Sequence, residues 1–411
     1  MKNILFILPF LPYPLKSGGH QAIFNGIKAV VGNYNIFITY DEDTIEDSSL
    51  MQNELIKELG DHIKIIPYKK QRKQESPSFA FQCYIIFWNI KEKIKRKLGL
   101  AKEKYTPFFF QTIIADNNRI LFLNEIIKEF NIDIVQCEMI SNISDVLILP
   151  STLKKIYVQH QIDYIRCQLD LKENGLLDNF KKELEQSKKI EIFLLNRYDA
   201  IIALSDYDKN LMQQDGVTVP IYVSPAIVST SIKSCEFGPQ RKILSFVGPS
   251  THYPNVKGIL WFLKNCWTEL RQREPDFILQ IIGEWDKPTR KEIQRIYPGI
   301  IFHGYVPNLD KYIESSIMIV PINIGSGIRM KILEAVSLGI PVVSTSIGAQ
   351  GLPLKDGVDC FITDNPHIFV EDILKLSDMK KKDTMTKCAR EKISKQYSLS
   401  SLKETRLNIY K

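Results

Sequence analysis

The sequence predicts an α/β protein with two doubly wound parallel sheets, and three observations predict it. Short apolar runs alternate with helix-length patterns along the chain, as parallel strands joined by helical crossovers require. The length of 411 residues exceeds what one core fills, so two domains are expected. The alternation begins afresh after Pro239, and the stretch 224–240, where Pro, Ser and polar residues concentrate, reads as a linker.

In the first half, apolar runs at 4–8, 35–39, 63–67, 132–136, 155–158, 200–204 and 221–223 are strand candidates. Helical patterns lie between them near 20–31, 45–59, 118–130, 176–197 and 206–214. In the second half, strands are expected at 243–247, 277–282, 300–302, 318–320, 341–344 and 360–363. Helices are expected near 256–271, 288–296, 309–315, 327–338, 366–377 and 380–395. The expected division is a first domain over 1–225, a second over 240–395, and a last helix within 396–411. No repeat of 20–50 residues is visible, which excludes a solenoid. In open α/β sheets ligands bind at the carboxyl ends of the strands. Two facing sheets therefore form a cleft suited to joining two substrates.

Composition narrows the function classes. With 44% hydrophobic and 25% charged residues the chain reads as globular. Seven cysteines without a CxxC pair argue against a zinc ribbon and fit a reducing compartment. The apolar start is broken by Pro9, Pro12 and Pro14, so it reads as a buried strand and the protein as cytoplasmic. The net charge of +7 is local: between Lys69 and Lys104 stand eleven Lys/Arg and three Asp/Glu. Aromatics at 79, 81, 84, 87 and 88 precede Lys91, Lys93, Lys95, Arg96 and Lys97. Over 68–110 this pattern suits an anionic membrane surface, and equally a helix pair with solvated lysines. No nucleic-acid motif accompanies the charge.

Two glycine-rich segments follow strands. Ser17, Gly18 and Gly19 precede a helix, where backbone N–H groups favour anions; a tight turn explains them equally well. The stronger segment is IMIVPINIGSGIRMKILEAVSLGIPVVSTSIGAQGL, 317–352. Its loop carries Gly325, Ser326, Gly327 and Ile328, and a helix follows. Arg329 and Lys331 stand in the first turn, against the helix dipole, so an anionic ligand is the natural compensation. The bland alternative is a glycine-started helix with solvated charges. No GxGxxG with an acidic partner is present, which disfavours an NAD-dependent oxidoreductase.

The combined order FVGPSTHYPNVKGILWFL, HGYVPNLDKYIESSIMIVP and GSGIRMKILEAVSLGIPVVSTSIGAQGL resembles the donor domain of family-four glycosyltransferases, which have the two-Rossmann-domain GT-B fold. The resemblance covers most of the second half and, loosely, the whole chain. It implies retaining, metal-independent transfer of a sugar from a UDP or GDP donor, with no cofactor. It also implies a glycan or lipid-linked acceptor bound by the first domain, in cell-surface polysaccharide or glycolipid synthesis. Glu334 matches the second of the family's two glutamates, which binds ribose. Ser326 stands where the first, near the donor sugar, is usual. Lys257 matches the diphosphate lysine, but no arginine stands in the loop from Gly248 to His252, so Arg329 and Lys331 are expected to supply its charge. Backbone groups at Tyr305 and Val306 are implied to meet the base. His160, which ends IYVQH, is implied to contact the donor sugar. Glu138, at the end of the fourth strand, points to the cleft by position, where it could bind the acceptor hydroxyl or be a solvated loop residue. His252 and His20 are weaker candidates. No metal-ligand pattern is visible among the six histidines. Two alternatives remain: an epimerase or hydrolase of sugar nucleotides on the same fold, and a non-catalytic nucleotide-sugar binder.

Overall fold

The computed structural model describes residues 1–15, 17–42, 48–60, 62–69, 117–227, 242–376 and 379–411. The basic, aromatic stretch therefore lies outside the described residues apart from Tyr68 and Lys69, as does the linker beyond residue 227.

The chain forms two parallel sheets. The first contains β1 (Asn3–Leu8), β2 (Asn35–Asp41), β3 (Ile63–Tyr68), β4 (Ile134–Glu138), β5 (Lys154–Gln159), β6 (Ala200–Ala203) and β7 (Ile221–Val223), in the order β3-β2-β1-β4-β5-β6-β7. The second contains β8 (Ile243–Val247), β9 (Ile278–Ile282), β10 (Ile300–Gly304), β11 (Ile317–Val320), β12 (Val342–Ser344) and β13 (Phe361–Ile362), in the order β10-β9-β8-β11-β12-β13. Every expected strand is present, within two residues. In each sheet the order reverses beside the first strand, which puts a crevice at the carboxyl ends of that strand and its neighbour.

The apolar runs are continuous because helices cover both faces of a parallel sheet. Along β1, Ile4, Phe6 and Leu8 enter one buried cluster, whereas Leu5 and Ile7 enter another on the opposite face. In the second half, Phe262, Trp267 and Phe369 are among the largest fully buried side chains. They sit around the helix Tyr253–Phe262, which runs through a π-helical turn at Leu263–Trp267 into Thr268–Arg273.

The helix expected near 176–197 is corrected to a longer arrangement. A helix runs from Asp163 to Glu173, a 3₁₀ turn follows at Asp178–Phe180, and a second helix spans Lys181–Leu195. The first of these has Ile162 at its N-cap and no side-chain cap. Its first-turn N–H groups are instead satisfied by Glu191, a residue of the following helix that accepts from the backbone of Asp163 and Tyr164. Local sequence therefore carried no start signal.

The helix Leu399–Tyr410 packs against the first half of the chain. Lys154 Nζ donates to the Ile409 carbonyl at 2.7 Å, and Arg406 Nε donates to Ser224 Oγ at 2.9 Å. Among the described residues, no helix is long and apolar enough to cross a membrane.

Candidate functional site between the two sheets

The second-half wall of the cleft is the segment after β11. The helix Met330–Ser337 begins there with Arg329 at its N-cap and no side-chain cap. Its first N–H groups therefore add partial positive charge to two neighbouring cations. Arg329 turns back on its own loop: Nη1 donates to the Ser326 and Gly327 carbonyls at 2.6 Å each, while Nη2 is buried without a partner. Desolvation pushes the guanidinium down to about 10, offset in part by the charge of Asp208. Lys331 Nζ donates to Asn255 Oδ1 at 2.9 Å and lies 4.1 Å from the centre of the Phe246 ring. Desolvation first, then repulsion from Arg329, pushes this ammonium down to about 7. Two crowded cations with one unpaired donor fit an anion far better than they fit each other.

Asn255 joins this wall to the first loop of the second half. Its Nδ2 donates to the Pro249 carbonyl, and a Cβ on Gly248 (φ +149°) would lie 2.4 Å from that nitrogen. Glycine is required there so that the loop can reach the amide. Lys257, two residues further along the same helix, exerts its charge on Asp170 and Glu173 of the first half, whose carboxyls burial raises and Lys257 lowers. His252, at the N-cap of the helix Tyr253–Phe262, is exposed and lies within range of the charges on Lys331, Arg329 and Arg166. Desolvation, then the charges of Lys331 and Arg329, push its imidazole down to about 4, so the ring is neutral.

At the far end of this wall, Tyr305 is 51% exposed and Val306 packs partly into the core. The backbone N–H of Tyr305, implied to meet a base, donates to Glu284 Oε1 at 3.1 Å.

The first-half wall comes close. Gly18 lies against Met330, so that a Cβ there would stand 2.7 Å from Met330 Cγ, and Gly19 lies against Met139. Gln21 Nε2 donates to Glu334 Oε1 at 2.6 Å, and burial raises that carboxyl above its ordinary value. Ser326 Oγ donates to the Ile162 carbonyl at 2.9 Å and is buried. A Cβ on Gly327 (φ +81°) would lie 2.3 Å from the His160 carbonyl. Gly325, Ser326 and Gly327 are buried, and Ile328 packs partly into the core.

Glu138 requires a correction. It is 2% exposed, with Oε1 accepting from Gln136 Nε2 and Oε2 lying 2.5 Å from His160 Nε2. Both oxygens are occupied inside the protein, so the side chain stands behind His160 and not in the cleft. Side chains on a strand alternate, and Glu138 shares the inward face of Gln136.

The structure thus brings Gly18, His160, Ser326, Gly327, Arg329, Lys331 and Glu334 together, sets Lys257 beside the first-half helix Asp163–Glu173, and leaves Tyr305 at an exposed end. Sequence reasoning missed Gln21, Asn255 and Glu284. Gln21 stood two residues beyond the noted Gly19 on the same helix. Asn255 lies between His252 and Lys257, in the first turn of the helix Tyr253–Phe262 and within a stretch already singled out. Glu284 had no signal, because its partner follows a different strand.

Two facing Rossmann-like sheets with a cationic helix start in the cleft define the GT-B class of protein. Residues 241–379 match the family model for Glycosyl transferases group 1, in keeping with the family that the motifs of this half resemble. Across 394 residues, 92% of this chain and 91% of the relative, the chain is 23% identical to an uncharacterized 44.6 kDa protein in the cps region of Klebsiella pneumoniae. Among solved structures, a TarM variant from S. aureus, in a complex that includes UDP and alpha-GlcNAc-glycerol, gives a TM-score of 0.69 at 13% identity over all of both chains. Anabaena HepE in complex with UDP and glucose gives 0.65 at 12% identity, over 100% of this chain and 99% of its own. The lipopolysaccharide outer core galactosyltransferase WaaB gives 0.60 at 17% identity, again over 100% and 99%. At these identities the likeness establishes the fold.

Proposed function

We propose that the chain transfers a sugar, with retention, from a nucleoside-diphosphate sugar to an acceptor hydroxyl in the synthesis of a cell-surface polysaccharide or glycolipid. The observation that carries the reading is the pair of cations, Arg329 and Lys331, at an uncapped helix start with one guanidinium nitrogen unpaired. When the bond from the anomeric carbon to the diphosphate oxygen breaks, its electron pair stays on the diphosphate. Preorganised N–H groups and cations stabilise that growing charge. The acceptor oxygen bonds to the same carbon, and its proton leaves with the departing phosphate. We assign Glu334 to the ribose, the Gly304–Val306 turn to the base, and His160 with the Gly325–Ile328 loop to the donor sugar. Gln21 holds one carboxylate oxygen of Glu334, Oε1, in place for its role at the ribose.

TarM and HepE complexes contain UDP, which favours a uridine donor over a guanosine one. The Klebsiella relative's place in a cps region favours a polysaccharide product. The charge and aromatic pattern over 68–110 supports peripheral contact with anionic lipid at the inner membrane face. Flotation with anionic vesicles at low salt tests that contact, and failure to float removes it.

Calorimetry with UDP, GDP, ADP and NAD in EDTA tests the donor site. One nucleoside diphosphate is expected to bind, with affinity falling roughly tenfold or more in Arg329→Ala or Lys331→Ala, since a charged hydrogen bond contributes about 1.5–3 kcal/mol. Unchanged affinity in both variants would sink the anion-site assignment, and binding of NAD alone would overturn the donor reading.

A further inference from the structure

The histidine of the cleft is tied to a helix from the other end of the chain. His160 Nε2 lies 2.5 Å from Glu138 Oε2, and Glu138 Oε1 accepts from Gln136 Nε2 at 2.5 Å. The Gln136 carbonyl oxygen, in turn, accepts from the Tyr410 hydroxyl. Gln136 and Tyr410 are each 0% exposed, and Glu138 is 2% exposed. The four groups form one buried hydrogen-bonded chain that ends at the cleft.

The polarity of this chain follows from its chemistry. A carboxylate only accepts, so Gln136 must turn its NH₂ group toward Glu138. Its carbonyl oxygen then faces Tyr410, which must donate. With Oε1 of Glu138 engaged, Oε2 takes the proton on His160 Nε2. A neutral His160 is thereby held as the Nε2–H tautomer, with Nδ1 as its acceptor.

The surroundings hold the chain in place. The residue after Glu138, Met139, adopts φ +64° and ψ 162°, a conformation that is strained for any residue but glycine. Asn142 Nδ2 donates to the Glu138 carbonyl at 3.1 Å and fixes the same turn. On the other side, the Tyr34 ring meets Tyr410 edge-on at 5.7 Å.

We propose that Tyr410, Gln136 and Glu138 are positioning residues that set the tautomer and orientation of His160. The proposal rests on the reading of His160 as a cleft residue of the transferase. Docking of the helix Leu399–Tyr410 and the readiness of the cleft histidine are then one event. Buried networks of this kind specify geometry because an unsatisfied member is costly.

The test uses ¹⁵N-histidine-labelled full-length protein at pH 8, in wild type, Tyr410→Phe and Glu138→Gln. Wild type is expected to show a protonated Nε2 and an unprotonated Nδ1 on His160. Tyr410→Phe removes one oxygen in a site that keeps its ring packing. It is expected to broaden or shift those signals, and Glu138→Gln to give mixed tautomers. In sugar transfer, Tyr410→Phe is expected to lower kcat roughly tenfold with donor KM within about twofold. Wild-type His160 signals in both variants would overturn the proposal. The NMR measurement needs no sugar substrate, so wild type with the expected tautomer but no transferase activity would defeat the functional reading and leave the positioning chain standing.

Discussion

Lys331 shows how one side chain reports on its environment. Its ammonium is pushed down to about 7 because it is desolvated beside Arg329, and its neutral partner Asn255 supplies a hydrogen bond but no charge. An anion would reverse that balance and raise the value. The sign follows: below about pH 7 the site is already charged, and above it binding must take up a proton. Nucleoside-diphosphate affinity is therefore expected to fall by up to about tenfold per pH unit above 7. Calorimetry at pH 8 in buffers of different ionisation enthalpy should register close to one proton taken up, and Lys331→Arg should abolish the uptake. Equal heats in both buffers for wild type would contradict it. At this scale the sequence was informative where chemistry followed local order. Arg329, Lys331 and Glu334 stand at fixed spacings on one helix start, so their shared wall was legible. Glu138 was not, because a strand position does not reveal which face is covered, and here helix Leu399–Tyr410 covers it.

The helix Asp163–Glu173 makes the same point for an element. It begins without a side-chain cap, and Glu191 supplies the acceptor from the neighbouring helix while also accepting from Gln159 Nε2 at 2.7 Å. Burial, then the nearby charge of Asp163, raises the Glu191 carboxyl to about 7 from its ordinary 4.5. The folded state therefore binds more protons than the unfolded state between these values. This group's contribution to stability is fully present below about pH 4.5 and is lost as pH rises through about 7. Glu191→Gln removes the titration and is expected to gain stability relative to wild type between pH 5 and 8, measured by urea unfolding at each pH. A difference between the two proteins that stays constant with pH would refute this. Glu191→Ala leaves the helix start uncapped and takes from Gln159 Nε2 one of its two acceptors, the Gln161 carbonyl remaining, and is expected to cost about 2 kcal/mol.

Across the whole molecule, the two halves meet where glycine allows it. Gly327 approaches the His160 carbonyl so closely that a Cβ would stand 2.3 Å away, and its φ of +81° disfavours any other residue. Gly327→Ala is expected to keep each sheet folded but to hold the halves apart. Small-angle scattering should show a larger radius of gyration, and sugar transfer should fall roughly 100-fold, as misplacement by an ångström can cost. An unchanged radius with full activity would mean that the contact does not gate catalysis.

By itself, the sequence determined the two sheets, the thirteen strands of the described residues and the cationic helix start, because each depends on neighbours close in the chain: apolar runs, turn residues and fixed spacings. Only the tertiary structure decided that Gln21 holds Glu334, that Ser326 bonds to Ile162, that Glu191 caps a distant helix, and that Glu138 lies behind His160. Those pairings join residues 22 to 313 positions apart, and a hydrogen bond between such residues leaves no periodicity in the chain to read.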